Sequence, residues 1–594
     1  MREVVDAFYG ERTIANHHIA SYNDFLNRRM QDIMDSTRIG EGENLERGYI
    51  HTEIEGYRIK VGDVRVGRPV VKEATGDEHH VTPMEARLRD LTYEAPVFVE
   101  FIPEIHGVPY EPEEVRIGSL PIMVKSQQCN ISREMIAQDA GRELSDEEYY
   151  DKLREAHEDP LDPGGHFISN GTERVLITLE DLAPNRVLIE KNTRYGYTVE
   201  TAKVFSQREG YRSIIVVEKK KDGMLMTTLP TVAGQVPLII LLRALGMESQ
   251  DIMDNIVSYP ETEVFVLSNI EESQEEYEVT DQEEALEYFG RKVAGGQAKE
   301  YRRERALSLM DRNLLPHLGN QPDDRIKKAV FLARMAQAVL ELALGHREED
   351  DKDHYANKRL KLAGDLMEDL FRVAFIALCK DMKYQLERLH ARGKNLDDLS
   401  VKPCVRTDVF TQRIHHALAT GNWVGGRTGV SQLLDRTSNL ATISHLRRIT
   451  SPLTRTQPHF EARDLHSTHW GRLCPNETPE GPNCGLVKNL AMTVEVSEGY
   501  PEQAVKEELE DMGLGEVRKE SKSARVYLNG ELVGMYPDGQ ERADKVRARR
   551  RTGKLDIEIN VAYYPDSNDV FLNCDPGRVR RPLFVIENGE PTLT

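Results

Sequence analysis

The sequence predicts an α+β protein of several domains, with mixed sheets and long helices. Its 594 residues are enough for about four domains of ordinary size. Alternation of apolar and polar residues at 49–101 and at 186–228 predicts strands. Apolar residues at helical spacing over 326–342 and from Leu360 to Leu389 predict two long helices.

Signals for the remaining elements follow one another along the chain. The charged stretch 133–159 predicts a surface helix or a helical hairpin, and Asp162-Pro-Gly-Gly predicts a sharp turn before a strand at Phe167. Residues 236–247 have the length and leucine content of a buried helix. The stretch 271–287 holds nine acidic residues and no basic one, which predicts a solvated helix or loop, with an acidic interaction tail as the alternative.

The C-terminal part is expected to combine a helix with strands. A Glu-rich helix is predicted after Tyr500. Asn529-Gly530 between alternating apolar residues predicts a β-hairpin, because both residues tolerate the positive φ of its turn. Two strands are predicted over 557–564 and 570–574, on either side of a turn that begins at Pro565.

Composition narrows the class of protein. Lys and Arg number 78 against 100 Asp and Glu, which gives a net charge of −22. This balance excludes a protein that binds nucleic acid over its whole surface. No apolar run approaches the ~18 residues of a membrane span, and the most apolar stretch, 236–247, contains Arg243. Six cysteines without a Cys-x-x-Cys pair exclude a disulfide scaffold and predict a cytoplasmic protein.

Residues 401–493, called the basic segment below, differ from the rest of the chain. They carry 11 Lys and Arg against 6 Asp and Glu, a charge of +5, so the remaining residues carry −27 (−22 minus 5). A basic, Gly- and Pro-rich segment in an acidic protein is where a polyanion is expected to bind, because Arg offers bidentate donors to phosphate. A plain solvated loop is the alternative.

A metal site in the basic segment is a second hypothesis. His466, His469, Cys474 and Cys484 carry the imidazole and thiolate groups that zinc prefers. Their spacing fits neither a zinc ribbon nor a zinc finger, so we expect no metal there. A metal-dependent hydrolase that uses this cluster remains an alternative.

Three strings of the basic segment resemble a known family. They are Gly429-Val-Ser-Gln-Leu-Leu-Asp-Arg, Ile443-Ser-His-Leu-Arg-Arg and the run Arg463-Asp-Leu-His-Ser-Thr-His-Trp-Gly-Arg-Leu-Cys-Pro-Asn-Glu-Thr-Pro-Glu-Gly. They resemble the fork of the second-largest subunit of multisubunit DNA-directed RNA polymerases. Ala86-Arg-Leu-Arg-Asp-Leu-Thr-Tyr, Asp162-Pro-Gly-Gly-His-Phe-Ile and Asp351-Lys-Asp-His-Tyr-Ala-Asn-Lys-Arg resemble other parts of that subunit, so the resemblance covers essentially the whole chain.

The resemblance implies a division into named domains. These are the first part of the protrusion (1–160), the lobe (161–330), the returning part of the protrusion (331–413), the fork (414–495), and the first external domain with the start of the second (496–594). Since the resemblance stops between the two external domains, it implies the N-terminal half of the archaeal second-largest subunit, which is split into two polypeptides. An unsplit subunit cut at that boundary would resemble the family equally well.

It also implies a role beside the catalytic centre. The Asn-Ala-Asp-Phe-Asp-Gly-Asp motif that holds the catalytic Mg²⁺ belongs to the family's largest subunit and does not occur here. We therefore expect no catalytic residue and no cofactor bound by this chain, which is inactive alone and holds the RNA–DNA hybrid and downstream DNA. Residues implied to lie near nucleic acid are Gln432, Arg447, Arg448, Arg455, Arg463, Asn483, Lys358 and Arg359, and those near the active centre are Asp435, His445 and Glu480.

Other roles are open for some of these residues. His445 and Asp435 match positions that line an antibiotic pocket in bacteria, but Leu433 replaces an aromatic residue there, so drug binding is not carried over. Arg447 could instead brace its loop by pairing with Asp435 or Asp464. Two further expectations are that Glu480 braces the Thr-Pro-Glu-Gly turn and that His354, just before Lys358 and Arg359, is buried.

The implied partners are the largest polymerase subunit, the C-terminal half of the split second-largest subunit, other core subunits, template DNA, nascent RNA and general transcription factors, but no membrane. An alternative from another class is a self-contained nucleic-acid-binding protein that uses the basic segment alone.

Overall fold

Segments distant in sequence combine into two units of mixed helix and sheet in a computed structural model of the chain. The structure describes residues 14–40, 45–73, 76–194, 196–396, 399–517, 523–581, 583, 585–587 and 589–592. Unit 1 comprises Met1–Asp181, Arg359–Glu498 and Gly577–Thr594, and unit 2 comprises Leu182–Lys358 and Gly499–Pro576. The α+β class is confirmed, while the named domain boundaries stay a prediction.

The largest sheet of unit 1 arises from the predicted N-terminal strands. Tyr57–Val66 pairs antiparallel with Glu94–Ile105, which also pairs with Glu113–Pro121. Alternate residues such as Ile59 and Val97 are fully buried, as expected for strands with one face on a core. The order along the sheet is Arg38–Ile39, Tyr49–His51, Tyr57–Val66, Glu94–Ile105 and Val108–Pro109, with Glu113–Pro121 joined to the fourth strand.

The long helix Ala363–Ala391 supplies the core of unit 1. Its Phe371 ring meets Phe25 and Phe410 edge-on, at centroid distances of 5.8 and 5.2 Å. At Gly364 any side chain is excluded, because a Cβ atom there would lie 2.0 Å from the carbonyl oxygen of Ser21.

The predicted start of this helix at Leu360 is wrong. Lys358–Lys361 form a strand, and the helix begins at Ala363, where the Asp365 carboxylate accepts the backbone N–H of Leu362. This capping interaction fixes the boundary, and it is a local hydrogen bond that apolar periodicity does not reveal.

Two short sheets of unit 1 carry the basic segment. One has the order Ser431–Leu433, Thr172–Leu176, Phe167–Ser169, and the other has the order Lys358–Lys361, Thr178–Leu182, Arg448–Thr450, Val487–Asn489. Further described strand pairs of unit 1 are Val70–Lys72 with Glu78–His80, Glu495–Val496 with Val579–Arg580, and Val585–Glu587 with Glu590–Thr592.

Helices of unit 1 are mostly short apart from Ala363–Ala391. The predicted helical hairpin is confirmed as Arg133–Ala140 and Asp146–Glu155. The others are Asn16–Asp24, the π-helix Phe25–Arg29, Met30–Ser36, Pro83–Leu88, Thr407–Thr420, Asn439–Leu446 and Phe460–Arg463, with 3₁₀ turns at Lys402–Cys404, Ser467–His469 and Gly481–Asn483.

Unit 2 packs the helix Arg325–Leu344 against an antiparallel sheet. The sheet order is Val187–Arg194, Tyr197–Arg208, Tyr211–Lys219, Leu225–Thr228, Gln235–Pro237. Lys328 of the helix is buried, and its ammonium donates to the carbonyl oxygens of Met310 and Asp311 at 2.9 and 2.7 Å. The other described helices are Leu238–Ala244, Ser249–Ile256, Pro260–Glu275, Gln282–Ala294, Lys299–Arg312, Glu502–Asp511 and Gly539–Arg551, with 3₁₀ turns at Pro316–Leu318, Pro322–Asp324 and Tyr355–Asn357.

A second sheet of unit 2 comes from the C-terminal part of the chain. Its order is Glu531–Tyr536, Ala524–Leu528, Asp569–Asn573, Asn560–Tyr564, so the Asn529-Gly530 hairpin is confirmed. The predicted strand start at Ile557 is wrong, because that side chain is 81% exposed and the strand begins at Asn560. Buried Asp569 accepts one hydrogen bond from Arg525 and pairs with Arg334, which ties the two chain segments of unit 2 together.

The acidic stretch 271–287 is solvated, as predicted. It spans the end of Pro260–Glu275 and the start of Gln282–Ala294, where Asp281 caps the second helix by accepting the N–H of Glu284 at 2.8 Å. In the part of the chain that the structure describes, no helix is both long enough and apolar enough to cross a bilayer.

Candidate nucleic-acid interface

The basic segment is held by strands from an earlier part of unit 1. Gln432 lies opposite Val175 in one short sheet. In the other, Ile449 lies opposite Thr178 on one side and Lys488 on the other. The chain on both sides of Arg448 is therefore fixed by backbone pairing rather than left as an open loop.

A buried ion pair reinforces the second sheet. The ammonium of Lys488 lies 3.0 Å from the Glu180 carboxylate, which also accepts the hydroxyl of Ser451 at 3.0 Å. All three side chains are buried. The pair joins the two strands that lie on either side of Arg448–Thr450.

A second ionic cluster anchors Arg436. Its guanidinium donates to Glu173 at 2.6 Å and to Asp162 at 2.7 Å, while Arg87 donates to Glu173 at 2.8 Å. Burial would raise the pKa of Glu173, but hydrogen bonds from Arg436 and from His166 outweigh it and hold that pKa well below its usual range. The cluster fixes the chain beside Asp435 to the Asp162-Pro-Gly-Gly turn.

Gln432, His445 and Asp435 come together as one group. The backbone N–H of Asp435 donates to Nδ1 of His445 at 3.1 Å, so Nε2 carries the proton and donates to Oε1 of Gln432 at 3.1 Å. Burial lowers the pKa of His445 to about 4, with the Arg448 cation adding to the effect. The Asp435 carboxylate is exposed and binds Thr437, which lowers its pKa.

The turn after His445 is closed by the N-terminal helix. Nε2 of His17 and Nε2 of His18 lie 3.2 and 3.1 Å from the carbonyl oxygen of Leu446. That carbonyl ends the helix Asn439–Leu446 and has no partner within it. Burial lowers the pKa of His18 to about 4, so the ring is neutral near pH 7.

Arg447 braces the segment, but not through the predicted carboxylates. Its buried guanidinium donates to the carbonyl oxygens of Ile14 at 2.9 Å and Ala491 at 2.5 Å, rather than to Asp435 or Asp464. Both of these acceptors are backbone carbonyls, so the bonds hold the segment against the chain at Ile14 and Ala491.

Arg448 and Arg455 are arranged differently. Arg448 is half-buried and Arg455 is exposed. Across residues 14–592, apart from the undescribed gaps, neither guanidinium makes a hydrogen bond or an ion pair. Both therefore have N–H donors available for an anion, and the Arg448 cation also contributes, after the hydrogen bonds from Thr437, to lowering the pKa of the Asp435 carboxyl.

Arg463 has every donor occupied. Its Nε donates to the Pro458 carbonyl at 2.7 Å, and Nη1 donates to the carbonyls of Pro482 and Cys484 at 2.8 and 2.6 Å. Nη2 lies 3.5 and 3.4 Å from the carbonyls of Arg455 and Gln457. The structure thus places Arg463 between two loops.

The turn at 477–485 is braced by Thr478, not by Glu480. The Thr478 hydroxyl accepts the N–H of Gly485 at 2.9 Å and donates to the Val487 carbonyl at 3.0 Å. The Glu480 carboxylate is exposed and makes no hydrogen bond with the described residues. In Asn483 the Oδ1 atom is buried and lacks a hydrogen-bond partner among those residues.

Lys358 and Arg359 are buried in the structure of this chain. The Lys358 ammonium lies 3.0 Å from Asp353 and over the ring of Tyr355. The expectation that His354 is buried is wrong: it is exposed, and it caps a short turn by accepting the N–H of Ala356.

The His/Cys cluster does not assemble a metal site. His466 binds Thr468 and the His469 ring accepts the His466 N–H, while Cys484 is exposed. Among the described residues, potential metal ligands converge instead at Glu73, His79 and Glu85 and at Asp162, His166 and Glu173. Arginines already neutralise both groups: Arg89 binds the first, and Arg87 and Arg436 bind the second. Their donor sets therefore fit guanidinium groups rather than a divalent cation.

Models of protein families match most of the chain. The family described as "RNA polymerase beta subunit" matches residues 13–412, "RNA polymerase Rpb2, domain 3" matches 432–496, and "RNA polymerase Rpb2, domain 4" matches 526–587. The second match includes Gln432, Arg448, Arg455 and Arg463.

Curated relatives are similar over the same length. The chain is 47% identical to DNA-directed RNA polymerase subunit Rpo2 of Saccharolobus shibatae, over all of this chain and 51% of that protein. It is 52% identical to subunit Rpo2N of Methanocaldococcus jannaschii, over 86% of this chain and 99% of that protein. Rpo2N of Halobacterium salinarum is 49% identical over 86% of this chain and 95% of its own length. The chain thus spans about half the length of the Rpo2 relative and nearly all of the Rpo2N relatives.

Proposed function

The chain belongs to the RNA polymerase beta-subunit family, and on that premise we propose that it is a core subunit of a DNA-dependent RNA polymerase, a nucleotidyltransferase. In that complex it holds the RNA–DNA hybrid and the downstream DNA beside the active centre. The catalytic Mg²⁺ is held by the largest subunit, and this chain alone is inactive. The protrusion, lobe, fork and external domains are the parts that the resemblance implies.

The observation that carries the proposal is that the Arg448 and Arg455 guanidinium groups make no hydrogen bond or ion pair with a described residue, while Arg448 projects from a paired strand. The chain around Arg448 is fixed by strand pairing and by the buried pair of Glu180 with Lys488. A fixed cation loses little entropy when a phosphate binds it. Backbone contacts of this kind hold every sequence equally, as transcription requires.

Gln432 and Asn483 extend the same surface with neutral groups. The amide of Gln432 is held by His445 and by the Gly429 carbonyl. The Asn483 side chain is half-buried, with an Oδ1 atom that lacks a described partner. Amides suit sugar hydroxyls and base edges, so these two residues complement the phosphate contacts of the arginines. Arg447, Lys358 and Arg359, which the resemblance implies to lie near nucleic acid, are buried in this chain and are not counted among the proposed phosphate contacts.

Exposed apolar side chains in the basic segment support the proposal that the chain functions as part of a complex. Phe460, Leu465 and Trp470 are 76%, 64% and 78% exposed. Apolar side chains of this size gain free energy when a partner covers them. The partners proposed for this surface are the largest subunit and the C-terminal half of the second-largest one. Other core subunits, template DNA, nascent RNA and general transcription factors complete the proposed assembly. We place this assembly in the cytoplasm.

Native mass spectrometry of the tagged subunit, followed by RNA extension on a preformed DNA–RNA scaffold, tests the proposal. We expect recovery with a chain that carries the Mg²⁺-binding motif, and we expect Arg448→Ala and Arg455→Ala to weaken scaffold binding by the recovered complex. Arg154→Ala is the matched control, because Arg154 is exposed and paired with Asp151 on a surface helix. Recovery of a lone chain that binds nucleic acid without partners would favour the self-contained binding protein instead.

A further inference from the structure

Arg463 bridges two loops, one without regular secondary structure and one that contains the 3₁₀ turn Gly481–Asn483. Its acceptors lie in residues 455–458 on one side and 482–484 on the other, and the five bonds use all its N–H donors. No donor is left for a phosphate. A role in direct nucleic-acid contact, which the sequence suggested, does not follow from this geometry.

We propose that Arg463 is a positioning residue that acts through Arg455. The carbonyl of Arg455 is itself one of the acceptors, so the guanidinium of Arg463 sets the backbone from which the free Arg455 side chain projects. The other loop carries Asn483, whose neighbours Pro482 and Cys484 supply two further acceptors. One planar cation therefore fixes the spacing between two candidate contacts.

The guanidinium is required for this role, not the charge alone. Its donors point in several in-plane directions at once, whereas a lysine ammonium is a compact group with fewer donors. Arg463→Lys keeps the charge and loses the bridge. The backbone of Arg463 is closely packed as well, because a Cβ atom at Gly485 would lie 2.5 Å from the Arg463 carbonyl oxygen.

This inference rests on the proposed function. A double-mutant cycle distinguishes failure of the positioning role from failure of the proposed interface. The assembled polymerase is titrated with a fluorescent DNA–RNA scaffold over a range of KCl concentrations, using wild type, Arg455→Ala, Arg463→Lys and the double variant. Arg472→Lys is the matched control: Arg472 also donates to backbone carbonyls, those of Val579 and Thr468, but touches neither loop.

We expect Arg455→Ala to weaken binding about three- to tenfold and to reduce the slope of log K against log salt by about one. Arg463→Lys is expected to do the same although it keeps its charge, and the double variant is expected to be no weaker than either single one. Arg472→Lys leaves both quantities unchanged.

Each departure from that pattern has a distinct meaning. Independent, additive losses for Arg455→Ala and Arg463→Lys, or an unchanged slope for Arg463→Lys, would overturn the positioning role. No effect of Arg455→Ala would instead remove Arg455 from the proposed interface. A thermal scan of each complex checks folding, and a fall in unfolding temperature for Arg463→Lys without a change in slope would also reject the proposal.

Discussion

The ammonium of Lys488 binds the carboxylate of Glu180 at 3.0 Å inside unit 1, although the two residues are 308 positions apart in sequence. Their strands flank Arg448–Thr450, so the pair clamps the strand that carries a free arginine. Removing water from both charges is costly, and the added bond from Ser451 helps to offset that cost.

Lys488→Met is therefore expected to destabilise the chain strongly. It leaves the Glu180 carboxylate buried without its cation, which costs about 3–5 kcal/mol. The double variant Glu180→Gln with Lys488→Met is expected to recover much of that loss. Urea unfolding measures both. Lys152→Met is the control, because its exposed pair with Glu155 contributes about 0–1 kcal/mol at most; equal losses at the two sites would contradict the assignment.

His445 is expected to make folding stability depend on pH. Its pKa is lowered from the ordinary value near 6.5 to about 4, first by burial and then by Arg448. Between pH 6.5 and about 4, His445 is therefore protonated in the unfolded chain but neutral in the folded chain. The free energy of unfolding falls as pH drops through this range.

The measurement is a set of unfolding midpoints across that pH range for wild type and His445→Gln. Burial also lowers the pKa of His17, His18 and His317, and these groups change in both proteins alike. The difference between the two curves isolates His445. Parallel curves would mean that the imidazole does not hold the Gln432 amide in its neutral form.

Much of the fold follows from the sequence, whereas the support of the site does not. Alternation located strands such as Tyr57–Val66, and periodicity located the helix Arg325–Leu344. The site depends on pairs such as Arg436 with Glu173, 263 residues apart, which no local pattern encodes. Arg463 illustrates the limit: its residue type predicts an anion partner, but its geometry assigns it to carbonyls, and only the fold decides between them.

Two glycines of the turn 481–485 give a matched test of close packing. Gly481 and Gly485 both have φ near +80° (+85° and +74°), so alanine is strained at either position. Around Gly481 nothing lies within 4 Å of the position that a Cβ atom would take, whereas at Gly485 that atom would meet the backbone of Arg463.

Gly481→Ala is expected to cost about 1 kcal/mol from backbone strain alone. Gly485→Ala is expected to cost clearly more and, because it displaces Arg463, to weaken scaffold binding as Arg463→Lys does. Denaturant unfolding and scaffold titration are compared for both variants. Equal stability losses would show that the Arg463 loop yields easily and is not a fixed support.

Trp470 is expected to matter for assembly rather than for folding of this chain. Its side chain is 78% exposed. Arg581 donates a hydrogen bond to the backbone carbonyl of Trp470, not to its ring. Trp470→Ser therefore removes few contacts within the chain, and its free energy of unfolding should change by less than about 0.5 kcal/mol. In a complex, a large aromatic side chain buried at a partner surface commonly contributes about 2 kcal/mol or more. Co-purification of the tagged chain with the rest of the polymerase is thus expected to fall, while the lone chain becomes more soluble.

Leu161→Ser is the control, since Leu161 is 80% exposed but lies outside the basic segment. A Trp470→Ser variant that assembles normally yet unfolds at lower denaturant would place the indole in the chain's own packing and remove this surface from the proposed interface.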